Sequence, residues 1–171
     1  MKFVQIGICA LVALGVSASA QIPVPLNSGG VSPQGLAAVQ QDLVVAIKSM
    51  ESALPIYKGD RVKSIRLASR ALLMVDRGLY GAKAKVRPVT TARDHVAAES
   101  AKTRYTPNQI AASQTAMNEG LTALAAAEED FQKSVNNNPG KKGVALLKLI
   151  DDSAAEAKTA IAIHGGNGVQ A

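Results

Sequence analysis

The sequence predicts an all-α protein, a four-helix bundle built from two helical hairpins with an irregular basic connection between them. Three observations predict it. Apolar residues recur at helical spacing in four segments, most clearly Ile110, Met117, Leu124 and Phe131 at seven-residue intervals. Ser32-Pro33 and Thr106-Pro107 each pair an N-cap residue with proline at the first helical position. Aromatic residues make up only 3% of the 171-residue chain, so alanine, leucine, valine and isoleucine must form the core. That composition suits closely approaching helices better than β-sandwiches.

Residues 1–20 read as an export signal. Met1-Lys2 is a short positive region, residues 3–16 are an apolar run interrupted only by Gln5, Gly7 and Cys9, and Ser17-Ala18-Ser19-Ala20 places Ala18 and Ala20 in the small-x-small arrangement of a cleavage site. Cleavage is expected between Ala20 and Gln21, giving a periplasmic or secreted protein. The apolar run is shorter than the ~20 residues of a spanning helix, and no stop-transfer stretch follows. Cys9, the single cysteine, lies inside this run after Ile6-Gly7-Ile8, away from the lipoprotein position. The mature chain would therefore lack thiols, and with them disulfides, cysteine-ligated metals and thioether haem. Residues 21–32 form a linker broken by Pro23, Pro25, Gly29 and Gly30. The helical domain is expected over residues 33–166, with a short tail at 167–171.

In the first helix Leu36, Leu43 and Met50 repeat every seven residues, with Val39, Ile47 and Leu54 on the same side, ending near Pro55. The second is expected to begin between Pro55 and Asp60, bury Val62, Ile65, Leu72, Val75 and Leu79, and stop after Arg77 at Gly78. Gly78, Gly81 and Pro88 interrupt residues 78–105, which fit either a short helix over 91–102 or a basic loop. The third helix opens with Thr106, Pro107 and a capping-box Gln109; Leu121 and Val135 flank its seam. Residues 136–140 form a turn. The fourth helix, from about Lys141 to Ile163, is expected to bury Val144, Leu147, Ala154 and Ile161 and to end at Gly165-Gly166. Leu43 and Met50 match Leu124 and Phe131 across the two hairpins. That match fits a duplicated hairpin, and it fits equally any two amphipathic hairpins.

The segment Tyr57-Lys58-Gly59-Asp60-Arg61 resembles a Tyr-x-Gly-His-Arg helix opening found in small exported helical proteins of bacteria. Asp60 stands where that opening has histidine. The resemblance implies a fold and a compartment, and no activity.

The formal net charge is +6, and it is unevenly placed. Residues 58–104 are rich in lysine and arginine, opposed only by Asp60, Asp76, Asp94 and Glu99. Lys63, Arg66, Arg70 and Arg77 follow helical spacing along one face, and Lys83, Lys85 and Arg87 extend the run. These seven are the candidate anion-binding residues. Their partner would be an anionic envelope lipid or polysaccharide; the plain alternative is a solvated charged surface. Nucleic acid fits poorly, because single strands are normally held on aromatic platforms, and here only tyrosines are available, with Tyr80 and Tyr105 at the edges of the basic stretch.

No catalytic residue and no cofactor emerges. The two histidines, His95 and His164, have no glutamate three positions before them, which removes the paired Glu-x-x-His di-iron pattern. Nucleophile-elbow, Walker and dinucleotide motifs do not occur. Asp94, His95 and Glu99 form the one local cluster of ligand-type residues; if the segment is helical, His95 and Glu99 share a face, and two ligands fall short of the three or four of a zinc site. The expectation is a non-enzymatic exported bundle that binds an anionic envelope component. Two rivals stand beside it: a periplasmic protein-binding or stress-related bundle, and a metal-binding protein or enzyme using Asp94, His95 and Glu99.

Overall fold

The computed structural model describes residues 31–81, 105–135 and 139–164. Four helices, and among the described residues no strand, account for it. Helix α1 spans Pro33–Ser52, α2 Lys58–Tyr80, α3 Pro107–Ser134 and α4 Gly140–His164. A single 3-10 turn, Pro55–Tyr57, joins α1 to α2. The all-α bundle expected from the sequence is the observed architecture.

Local chemistry accounts for the helix ends. The Ser32 hydroxyl accepts the Gly35 N–H at 3.0 Å, and Pro33 follows at the first helical position. At α3 the capping box is complete: Thr106 Oγ1 accepts from the Gln109 N–H at 3.3 Å, and Gln109 Oε1 accepts from the Thr106 N–H at 2.8 Å. Helix α2 does not stop at Gly78. It continues to Tyr80 and ends at Gly81, whose φ of 63° is left-handed. Gly78 serves packing instead, since a Cβ there would lie 3.2 Å from Leu36 Cδ1 of α1.

The helices form a square in which α1 packs most extensively on α3 and α2 on α4, with α1–α2 and α3–α4 as the remaining sides. Close approaches give the directions. Gly35 meets Ser134, and Gly120 meets Met50 and Ala46, so α1 and α3 are antiparallel. Gly78 meets Leu36, and Gly143 meets Phe131. The start of α1, the end of α2, the end of α3 and the start of α4 therefore share one end of the bundle. Helices α2 and α3 run parallel at diagonal corners, so the end of α2 and the start of α3 lie at opposite ends of the bundle.

The core follows the predicted seams on three helices. Leu36, Val39, Leu43, Ala46 and Met50 of α1 are buried, and so are Met117, Gly120, Leu124, Ala127 and Phe131 of α3, with the same three-four alternation. Ile110 is only half-buried. It lies in the first turn of α3, past the level of Ser113, where α1 has already given way to Leu54. On α2, Val62, Ile65, Leu72 and Val75 are buried and Leu79 is half-buried.

On α4 the expected stripe is displaced. Gly143, Leu146, Ile150, Ser153, Ala157 and Ala160 face the core, while Val144 is 57% exposed and Leu147, Ala154 and Ile161 are half-buried. Small residues cause the shift. A Cβ at Gly143 would fall 3.0 Å from Phe131 Cζ, and Ser153 meets Ser64 of α2. Each of those two hydroxyls donates to the other residue's backbone carbonyl, at 2.8 and 2.9 Å. Close backbone approach through glycine, serine and alanine outweighs the side chains one position further on, of which Leu147, Ala154 and Ile161 cover the edge of the core.

Candidate anion-binding face

Helix α2 carries a buried and an exposed stripe. Arg61, Ser64, Ala68, Ala71 and Val75 point inward. On the opposite side Lys63, Arg66, Arg70, Arg77 and Tyr80 are exposed, with Leu73 half-buried among them. The serine pair with α4 and the packing of Ile65 and Leu72 fix the rotation of the helix, and hence the direction of the cations.

The four cations are not equivalent. Lys63 lies 3.3 Å from Asp60 and 3.6 Å from Glu156 of α4. The hydrogen bond to Asp60, then the charge of Glu156, raise its pKa. Arg66, Arg70 and Arg77 have no carboxylate within 4.0 Å among the described residues. Asp76, next to Arg77 in sequence, is turned inward at 6% exposure and accepts a hydrogen bond from Gln40 Nε2 of α1. Both acids of α2 are thus engaged elsewhere. From Arg66 to Arg77 the row runs about 16 Å along the helix axis. Lys83, Lys85 and Arg87 lie outside the described residues, as do Asp94, His95 and Glu99. Among the described residues no group of three or more histidine, cysteine or acidic side chains is placed to hold a metal.

One member of the basic segment is not on the surface. Arg61 is 0% exposed and donates from Nη1 to the carbonyls of Met50, at 3.3 Å, and Ala53. These carbonyls belong to the C-terminal end of α1, where backbone acceptors lack helical partners and the macrodipole favours a cation. Tyr57, one turn earlier, is also 0% exposed. Burial raises its pKa, while the Ser113 hydroxyl and the Arg61 charge act in the opposite direction. Ser113 in turn accepts the Leu54 N–H at 2.7 Å. The tyrosine and arginine of the Tyr-x-Gly-x-Arg opening therefore close the corner between α1 and α2. Its glycine meets no such demand, since a Cβ at Gly59 would have nothing within 4 Å. The sequence held a signal for Arg61: it falls in a heptad with Ala68 and Val75, both core positions.

On the far side of the bundle Asp42 of α1 is half-buried, its Oδ2 without a hydrogen-bond partner among the described residues. Burial, then the charge of Asp130 on α3, raise its pKa. No protein-family model, curated protein or solved structure matches the chain.

Proposed function

We propose that this chain is an exported, non-catalytic helical bundle that binds an anionic component of the cell envelope along the outer face of α2. The signal-like residues 1–20 support export. The observation that carries the binding reading is the row Arg66, Arg70 and Arg77, exposed and without a carboxylate partner among the described residues, while Asp60 and Asp76 are committed elsewhere. Arg66 and Arg70 are one turn apart, and a like-charge pair at that spacing costs about 0.2–0.5 kcal/mol in an isolated helix. Guanidinium groups match phosphate and carboxylate oxygens in a bidentate fork. A row this long reaches several anionic groups at once, as a polymer or a surface presents them.

The test is retention on anionic liposomes and on acidic polysaccharide over a salt series. Retention should fall steeply as the Debye length shortens from ~10 Å at 0.1 M to ~3 Å at 1 M. The triple variant Arg66→Gln, Arg70→Gln, Arg77→Gln should lose retention and keep its helical circular dichroism. Equal binding by variant and parent, or no binding by the parent at low salt, overturns the reading.

A further inference from the structure

We infer that the anionic component is a phospholipid surface, met by the α2–α4 edge of the bundle at the end where α2 finishes and α4 begins. This rests on the anion-binding reading above and names its partner. Three features converge at that end. Arg77 is exposed in the last turn of α2, and Lys141 and Lys142 are exposed in the first turn of α4. No carboxylate lies within 4.0 Å of any of the three among the described residues. The first turn of α4 contains no acidic residue, although a helix start favours acids and disfavours lysine. Two cations are thus kept where they oppose the helix dipole.

Apolar groups are exposed beside them. Tyr80 is 59% exposed at the end of α2, and Val144 is 57% exposed at the start of α4. These two are the most exposed large hydrophobic side chains among the described residues. That they share an end with three cations unpaired among the described residues decides between the anionic partners. A hydrated polysaccharide offers a valine no apolar phase. A bilayer offers phosphates to the cations and, a few ångströms deeper, an acyl boundary to valine and the tyrosine ring. Tyrosine favours that interface, with its ring on the apolar side and its hydroxyl in the headgroups.

The chain contains no tryptophan, so a single introduced one reports its own surroundings. Tyr80→Trp places it at the proposed end, Val144→Trp gives a second reporter there on another helix, and Asn108→Trp marks the opposite end. All three positions are exposed. With phosphatidylglycerol vesicles, emission from Tyr80→Trp and Val144→Trp should shift to the blue and be quenched by brominated lipid, and Asn108→Trp should do neither. Lys141→Gln with Lys142→Gln should weaken vesicle binding about fivefold per charge removed. If vesicles bind while the Tyr80→Trp and Val144→Trp emissions stay at the solvent wavelength, the inference of contact at this end is overturned and the arginine row alone carries binding. Retention on acidic polysaccharide without vesicle binding overturns the phospholipid assignment and leaves anion binding standing. If neither is bound, both readings fall.

Discussion

Arg61→Ala should destabilise this protein far more than Arg66→Ala, five positions along the same helix. The two substitutions delete the same atoms and change helix propensity equally, so the difference isolates the environment. Arg66 is exposed, and its removal should stay within about 0.5 kcal/mol. Arg61 is 0% exposed, among the largest fully buried side chains, and donates to the Met50 and Ala53 carbonyls. Three effects follow its deletion. A cavity opens where a long side chain lay, and truncation of the largest buried side chains costs about 3–5 kcal/mol. A backbone acceptor also loses its charged donor, worth about 1–3 kcal/mol. Against these, a buried charge no longer needs compensation. Met50 O keeps the Ala53 N–H at 3.3 Å, so the orphaned acceptor is mainly Ala53 O. The cavity dominates, and the expected cost is about 3–5 kcal/mol. Total stabilities are only about 5–15 kcal/mol, so the loss is large. Arg61→Met fills most of the space and removes only the donor, so it should cost about 1–3 kcal/mol. Urea unfolding followed by far-ultraviolet circular dichroism measures all three variants, with an unchanged slope confirming a comparable transition. Arg61→Ala and Arg66→Ala agreeing within 0.5 kcal/mol would refute the buried-guanidinium argument.

The remaining expectations concern the core and the α1–α3 face. Leu124 is 0% exposed, and Leu124→Ala should cost about 2–5 kcal/mol; a loss near zero in the same unfolding assay would contradict the bundle seam. Gly120→Ala would set a Cβ 2.6 Å from Met50 Cγ and 3.2 Å from the Ala46 carbonyl, so overpacking of about 1–3 kcal/mol should outweigh the better propensity of alanine. Gly59→Ala meets open space and should stabilise by about 0.4–1 kcal/mol; the two glycine variants moving the same way would sink this assignment. Asp42 has a raised pKa in the folded state, so the folded protein holds its proton more tightly than the unfolded chain does. Its contribution to stability falls as pH climbs from the unfolded value, about 3.9, through the folded one. Asp42→Asn should therefore raise stability at pH 7, with the advantage fading at pH 3, and a variant no more stable than the parent at pH 7 would exclude the effect.

Periodicity and capping carried most of the fold. Seams on α1, α2 and α3 lay where large apolar residues repeat, and Ser32 and Thr106 marked the helix starts they cap. The rule failed where packing is done by small residues. On α4 the inward positions include Gly143, Ser153, Ala157 and Ala160, which a hydrophobicity pattern ranks below Val144 and Leu147. Gly78 misled for a related reason: glycine in a helix signals either an end or a close neighbour, and only the position of Leu36 decides. At the candidate site the exposed face of α2 was legible from spacing alone. The difference between its cations was not, because Glu156 and Gln40 reach it from other helices. The burial of Arg61 was not legible from charge, because its partners are backbone carbonyls, which leave no mark in side-chain composition.

The packing order also keeps the basic face from being neutralised within the molecule. Helix α3 carries Glu119, Glu128, Glu129 and Asp130 against the single Lys133, and it stands diagonally opposite α2. Neighbouring helices pack 8–10 Å apart, so a diagonal pair is separated by about 11–14 Å. That exceeds the screening length of about 8 Å at physiological salt, and the charges lie on outward faces further apart still. On the adjacent α4, by contrast, Glu156 reaches Lys63 directly. Had α3 stood beside α2, its net negative face would have lain next to the arginine row. Instead α3 packs on α1, where Asp130 raises the pKa of Asp42. Like charges therefore gather on each side, at a cost to stability, and the bundle becomes electrically polar across its width. Near an anionic surface such a molecule experiences a torque as well as an attraction, turning α2 towards the surface and α3 away before any contact forms. Reversing the acidic side, with Glu119→Lys and Glu129→Lys, tests this directly. Under orientation by the field, the variants gain affinity from their higher net charge, yet a Tyr80→Trp reporter is buried in a smaller fraction of bound molecules. An unchanged fraction would show that contact alone selects the docking face.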